Sequence, residues 1–288
     1  MRLLRLGPPG HETPAVLVPG REDRAYDLSN LTHDIDGAFL STSFQQTIIQ
    51  AIGAGALPTV DLAGVRVGAP IARPHAIYAI GLNYADHAAE AAMELPTEPI
   101  VFSKAPNSLC GPTDDVTLPA GSLKGDWEVE LGIVIGVATH GLASPDQAAR
   151  CIAGYVAVND VSERAWQIEH GGQWLKGKSF PTANPAGPWL VTPDEVDDDG
   201  SLRLRLAVNG SVKQDGTTAD MVFGPYHLVW YLSQFVRLEP GDLIDTGTPA
   251  GVGMGATPPV FLADGDVMDL SITGLGEHRT VVHVPAAT

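Results

Sequence analysis

Glu128 and Glu130 stand two apart in GDWEVELGIVIG, residues 125–136, a stretch whose Val129, Leu131, Ile133 and Ile135 read as the apolar face of a buried strand. Residues i and i+2 of a strand point the same way, so the pleat turns both carboxylates onto one face. Two adjacent carboxylates repel, and burying either one unpaired costs several kcal/mol or shifts its pKa. The face is either wet, as on a half-exposed edge strand, or compensated. Thirty residues after Glu130, the apolar run CIAGYVAVND ends in Asn159-Asp160. Asp160 there is either a cap for the following VSERAWQIEH or a third carboxylate at the mouth of the same sheet. Three such oxygens suit a hard divalent cation, Mg²⁺ or Mn²⁺, with Ca²⁺ also compatible. With no His or Cys interleaved, zinc fits poorly.

A second cluster lies in GLNYADHAAE, residues 81–90. His87 and Glu90 are three apart and share a face if the segment is helical. They are either casual surface neighbours or a base oriented by a carboxylate, in which His87 takes a proton from water. GGQWLKGKS, residues 171–179, satisfies the spacing of a phosphate-binding loop through Gly172, Gly177, Lys178 and Ser179. The physics of that loop is missing. A phosphate loop follows a buried strand and opens a helix, whereas ERAWQIEH before it is polar and helix-like. Pro181, Pro185 and Pro188 after it prevent a helix from starting. Lys178 remains as a lone cation for an anionic substrate or intermediate. DTGTPAGVGMG, residues 245–255, is either a plain connection or a loop whose N–H groups and Thr248 bind a carboxylate.

The elements that must position these residues are mostly strands. Residues 1 to about 72 read as a small separate α+β unit, with MRLLRLG, TPAVLVPG and RAYDLS as short strands. FLSTSFQQTIIQAIGAGALP follows as one helix, with polar residues around Ser41 and Thr42 near its start and Gly53 and Gly55 stopping it. The Pro-punctuated VGAPIARPHA leads into a second unit, residues 73–288. There, strand-like runs from IYAIGLN to RTVVHVP are interrupted by helical stretches at YADHAAEAAM and PYHLVWYLSQFVRL. Such β-rich order is not the regular βαβ alternation of a parallel sheet. The acidic PDEVDDDG reads as a solvated turn.

Composition narrows the function classes. With 44% apolar and 18% charged residues over 288 positions, the chain is that of an ordinary globular protein. A formal charge of −17 leaves no basic stripe to replace the counterions of a nucleic acid. Cys110 and Cys151 sit in no paired motif, which points to a reducing compartment. No apolar run approaches the roughly 18 residues of a membrane span, and the apolar core of MRLLRLGPPGHE is too short for a signal peptide. A cytoplasmic protein without membrane or nucleic-acid partners is the expectation.

Taken in order, GLNY-x-DH-x-x-E, WEVELGIVIG, VNDVSERAWQ, KGKSF, GPWLVT and TGTPAGVG resemble the fumarylacetoacetate hydrolase superfamily over roughly residues 73–285. The likeness is to its acylpyruvase or diketo-acid hydrolase-like members. It implies a mixed β-roll or sandwich preceded by a small N-terminal domain, in a homodimer. It places metal ligands at Glu128, Glu130 and Asp160, a His–Glu dyad at His87 and Glu90, and a catalytic lysine at Lys178. Substrate-binding groups fall at Arg164, Gln167 and Thr248. Members often read K-S-F-D-T, and Pro181 departs from that pattern. The implied activity is divalent-metal-dependent hydrolysis of a C–C bond in a 2-oxo or 2,4-dioxo acid. The alternative is an isomerase, decarboxylase or lyase acting on a related 2-oxo acid through the same enolate chemistry.

Overall fold

Val129–Ile135 is a strand with both faces buried. A computed structural model of the chain describes residues 1–90, 93–196 and 201–287. Val129, Leu131, Ile133 and Ile135 face one core, together with Leu204, Leu206, Met268, Leu270 and Ile272. Val134 faces another, with Val156, Val158, Leu190 and Leu243. Each such aliphatic side chain contributes about 1.5–3 kcal/mol by leaving water, which anchors the strand against any slip in register.

Among the described residues this strand belongs to a 12-stranded sheet. It pairs antiparallel with Ile152–Asn159 on one side and with Leu243–Asp245 on the other. Leu243–Asp245 in turn runs parallel to Ile77–Gly81, so the sheet is mixed. Ile77–Gly81 pairs antiparallel with Ile100–Lys104 at the edge of the path. On the other flank, Asn184–Val191 joins Ile152–Asn159 to Arg2–Leu6, and from there the path continues through Thr13–Val18, Arg21–Asp27 and Thr59–Asp61. The strands of the first 72 residues therefore continue the sheet of the second unit. A five-stranded sheet of Ser211–Thr217, Arg203–Val208, Val267–Ile272, Gly276–His283 and Val116–Thr117 packs over the first core. The β-rich mixed architecture expected from the sequence is the one observed, and every strand-like run named from Ile77 onward contains a strand.

The helices differ in detail. The stretch read as one helix from Phe39 is two, Gly37–Leu40 and Phe44–Gly53. Between them the Ser41 and Thr42 hydroxyls donate to the Ala38 and Phe39 carbonyls at 2.9 and 2.7 Å, a local alternative to helical continuation. Gly55 ends the second helix at φ +65°. The helix carrying His87 is Ala85–Glu90, and PYHLVWYLSQFVRL is helical over Pro225–Ser233. ERAWQIEH is not an ordinary helix. Ser162–Glu163 is a two-residue strand, and Ala165–Glu169 is a single π-helical turn. The acidic stretch 193–200 and the end of the 84–93 helical stretch extend outside the described residues. Cys110 and Cys151 are free thiols. No helix among the described residues is long and apolar enough to cross a membrane.

Candidate active site

Register explains how three distant carboxylates meet. Glu128 and Glu130 share a face because they are two apart on the same pleated segment. Val129 pairs with Asn159, so the residue after that strand's end, Asp160, arrives beside Glu128, and its N–H donates to the Glu128 carbonyl at 2.9 Å. One oxygen from each of Glu128, Glu130 and Asp160 lies within 4.8 Å of the others, and all three side chains are buried. The face is not wet.

Buried cations compensate part of this charge. Lys178 Nζ stands 2.7 Å from Glu128 Oε2 and 2.8 Å from Asp160 Oδ2. Arg164 Nε binds Asp126 Oδ2 at 2.8 Å, and its Nη2 lies 2.7 Å from Glu128 Oε1, a charge contact poorly angled for a hydrogen bond. Lys104 pairs with Asp160 and donates to the Ala183 carbonyl at 3.0 Å. Glu130 has no ion-pair partner among the described residues, and only the Gly247 N–H reaches it, at 2.8 Å. Asp245, fully buried, accepts no hydrogen bond there either. Asn184 stands close enough to favour the charged form of Asp245, but the geometry falls short of a hydrogen bond. Five buried carboxylates, counting Asp126, thus face three buried cations. Glu130 and Asp245 are the two left without an ion-pair partner among the described residues, and the oxygen-only donor set of Glu128, Glu130 and Asp160 fits a hard cation.

The pKa shifts follow the same geometry. Burial works against ionisation of Glu128, but Lys178, Arg164 and His87 outweigh it and hold the carboxyl down to about 2. Burial pushes Glu130 well above the usual carboxylate range, and Asp160, Glu128 and Asp245 push it further. Burial raises Asp245 to about 7, with Asp160 adding to the effect against the pull of Lys104 and Lys178. Lys178 is raised: burial opposes its charge, and Asp160 and Glu128 more than restore it.

His87 and Glu90 do form a pair, with Nδ1 3.4 Å from Oε2. The Gly251 N–H donates to both Glu90 oxygens at 3.1 Å. Burial opposes the charge on Glu90, but His87 and that N–H hold its pKa low. Gly255 packs against the same carboxylate, where a Cβ would fall 2.3 Å from its Cδ. The glycine-rich loop therefore cradles Glu90. Thr248, expected at a substrate, lines the cavity described below while donating its hydroxyl to the Val129 carbonyl at 2.8 Å and accepting from Gln214 Nε2 at 2.7 Å. Gln167 Oε1 accepts from Arg164 Nη1 at 2.9 Å. Pro181 lies exposed in a turn closed by the Ala183 N–H on the Phe180 carbonyl at 3.0 Å.

One cavity of about 90 Å³ is lined by His87, Glu128, Glu130, Arg164, Gln167, Lys178 and Thr248. Glu90 stands behind His87, and Asp160 behind Lys178. Two larger open grooves, of about 680 and 660 Å³ around Arg2, gather no converging buried ionisable groups, so volume alone does not mark the site. Sequence reasoning missed Lys104, Asp126, Asn184 and Asp245. Asp126 had a signal, since it extends the Glu128/Glu130 alternation backward by two. Lys104 closes the apolar run IVFSK, where a charge at a strand end is easily read as solvated.

Residues 76–283 match the family model for the fumarylacetoacetate (FAA) hydrolase C-terminal region. A Burkholderia multivorans protein provisionally called a hydrolase is 51% identical over 278 residues, 96% of this chain and 97% of that protein. The crystal structure of 5-carboxymethyl-2-hydroxymuconate delta-isomerase from Mycobacterium smegmatis is similar at TM-score 0.78 and 32% identity, covering 100% of both chains. Maleylpyruvate hydrolase from Sphingobium sp. SYK-6, solved with manganese(II) and pyruvate, is similar at TM-score 0.81 and 29% identity, over 99% of this chain and 100% of that one.

Proposed function

The chain belongs to the fumarylacetoacetate hydrolase family, and on that premise we propose that it hydrolyses a C–C bond in a 2,4-dioxo acid of the acylpyruvate type, with a divalent cation such as Mg²⁺ or Mn²⁺. The observation that carries the reading is the pairing of two devices in one cavity. Lys178 bridges two members of a buried carboxylate triad, and a His–Glu pair stands at the same wall. Isomerisation needs the first device; activating water gives the second its extra task.

Glu128, Glu130 and Asp160 would hold the cation, which when bound supplies Lewis acidity at the 2-oxo acid end of the substrate. His87, with Nδ1 turned to Glu90, has no partner for Nε2 among the described residues, which leaves that nitrogen to take a proton from water. The water oxygen bonds to the distal carbonyl carbon, and the bond from that carbon to the CH₂ group breaks. The electron pair leaves as the enolate of the 2-oxo acid, beside the Lys178 ammonium, and a proton returns to carbon. The products are a carboxylic acid and a shorter 2-oxo acid. Arg164 orders the ligands, since it ties Asp126 to Glu128, and Gln167 is held against it.

The test is product analysis of acylpyruvates, oxaloacetate and sugar-derived diketo acids with Mg²⁺ or Mn²⁺. Two acids from one substrate support hydrolysis. Release of CO₂, or a product of unchanged mass, assigns the site to decarboxylation or isomerisation instead. The working unit is proposed to be a homodimer with a small-molecule 2-oxo acid as its only partner, and its setting the cytoplasm.

A further inference from the structure

We propose that the cavity selects 2-oxo acids whose far end is neutral and apolar, and discriminates against those ending in a second carboxylate; the inference rests on the 2-oxo acid reading above, but concerns binding rather than which bond breaks.

Every cation at the site is already committed. Lys178 bridges Glu128 and Asp160, Lys104 serves Asp160 and Ala183, and Arg164 directs its three nitrogens to Asp126, Gln167 and Glu128. All three are buried, and the two that line the cavity, Arg164 and Lys178, are held in these pairs. No other Lys or Arg lines the cavity among the described residues. Lys176, two residues from Trp174, turns outward to the His170 carbonyl at 2.8 Å.

The rest of the wall is apolar. Phe102 and Trp174 meet edge to face with ring centroids 5.2 Å apart. Trp174 packs down onto Gly81, where a Cβ would lie 2.4 Å from its ring, so the absence of a side chain there lets the indole close the cavity. Met93 and Ile168, 50% and 49% exposed, stand at the rim, and Met254 is beside them. Gln167 Nε2 is an uncommitted donor among the described residues, a neutral group suited to a carbonyl or hydroxyl. A carboxylate placed in this enclosure would lose its water, gain no cation, and face Glu128 and Glu130. An alkyl or aryl tail would meet the two rings and the rim.

Calorimetric titration of the Mn²⁺-loaded protein with 2-oxohexanoate and 2-oxoadipate compares the two ends on equal carbon number. Binding of 2-oxohexanoate at least about 10-fold tighter is expected. Equal affinities, or tighter binding of 2-oxoadipate, overturn the proposal. Ile168→Arg and Met93→Arg, both exposed and outside the ion-pair network, should each improve 2-oxoadipate binding by about 10-fold while leaving pyruvate binding unchanged. If neither does so, this wall is not what selects the tail. A protein that shows the preference yet yields no second acid in the product assay keeps this inference and loses the hydrolase reading.

Discussion

Lys178 Nζ lies 2.7 Å from Glu128 Oε2, and neither group reaches solvent to any useful extent. Lys178 also holds Asp160, so one buried ammonium serves two of the three clustered carboxylates. Lys178→Met should therefore lower stability by about 3–5 kcal/mol, the cost of leaving a buried partner unpaired, and abolish turnover. Urea unfolding curves check the first effect, and an unshifted midpoint would contradict the role given to the pair.

Glu130 behaves oppositely because it lacks an ion-pair partner among the described residues. Glu130→Gln should leave the metal-free protein at least as stable as the wild type, while Mn²⁺ affinity falls by more than about 100-fold, beyond the loss typical of an outer-shell change. Glu128→Gln should destabilise the metal-free protein, since Lys178 and Arg164 both lose a charged partner. Calorimetry and thermal melts on the two variants read this contrast directly. Similar stability for both would show that the ion pairs matter less than the geometry implies.

His87→Ala should reduce kcat by about 10²–10⁴-fold, the usual contribution of a positioned general base. Mn²⁺ affinity should hold, because His87 is not one of the three clustered ligands. Turnover that survives this substitution removes His87 from water activation.

His278 supplies a pH prediction away from the site. Its Nε2 donates to the Gly187 carbonyl at 2.9 Å, and burial pulls its pKa down to about 4 against the opposing pull of the Gly187 and Ala157 carbonyls. Unfolded, the ring titrates near 6.5. The unfolded chain thus binds the extra proton first as pH falls, so this contribution is whole above about 6.5 and drains away toward about 4. By pH 5 the loss amounts to about 2 kcal/mol. Wild-type protein should lose that much more stability between pH 7.5 and 5 than His278→Gln does. Identical losses in denaturant titrations would remove His278 as the cause.

Much of the site was legible in the chain because its logic is local. The period of two in EVELGIVI, set by the pleat, placed Glu128 and Glu130 on one face without any knowledge of the fold. The three-residue spacing of His87 and Glu90 put them on one helical face. The prolines after Ser179 excluded a phosphate loop. The order of motifs identified the family, and with it the arrival of Asp160. None of this required tertiary contacts, since strand and helix periodicity act within a few residues.

What the fold alone decided is who neutralises whom. That Lys104 reaches Asp160, that Arg164 ties Asp126 to Glu128, and that Thr248 turns to Val129 and Gln214 all depend on contacts between segments far apart in the chain. Charge compensation in a buried site is set by distances of a few ångströms between separate strands. A one-dimensional pattern carries the residue types but not those distances. For the same reason the sequence singled out Lys178, and Arg164 through the family resemblance, but passed over Lys104, and only the packed structure showed all three paired with carboxylates.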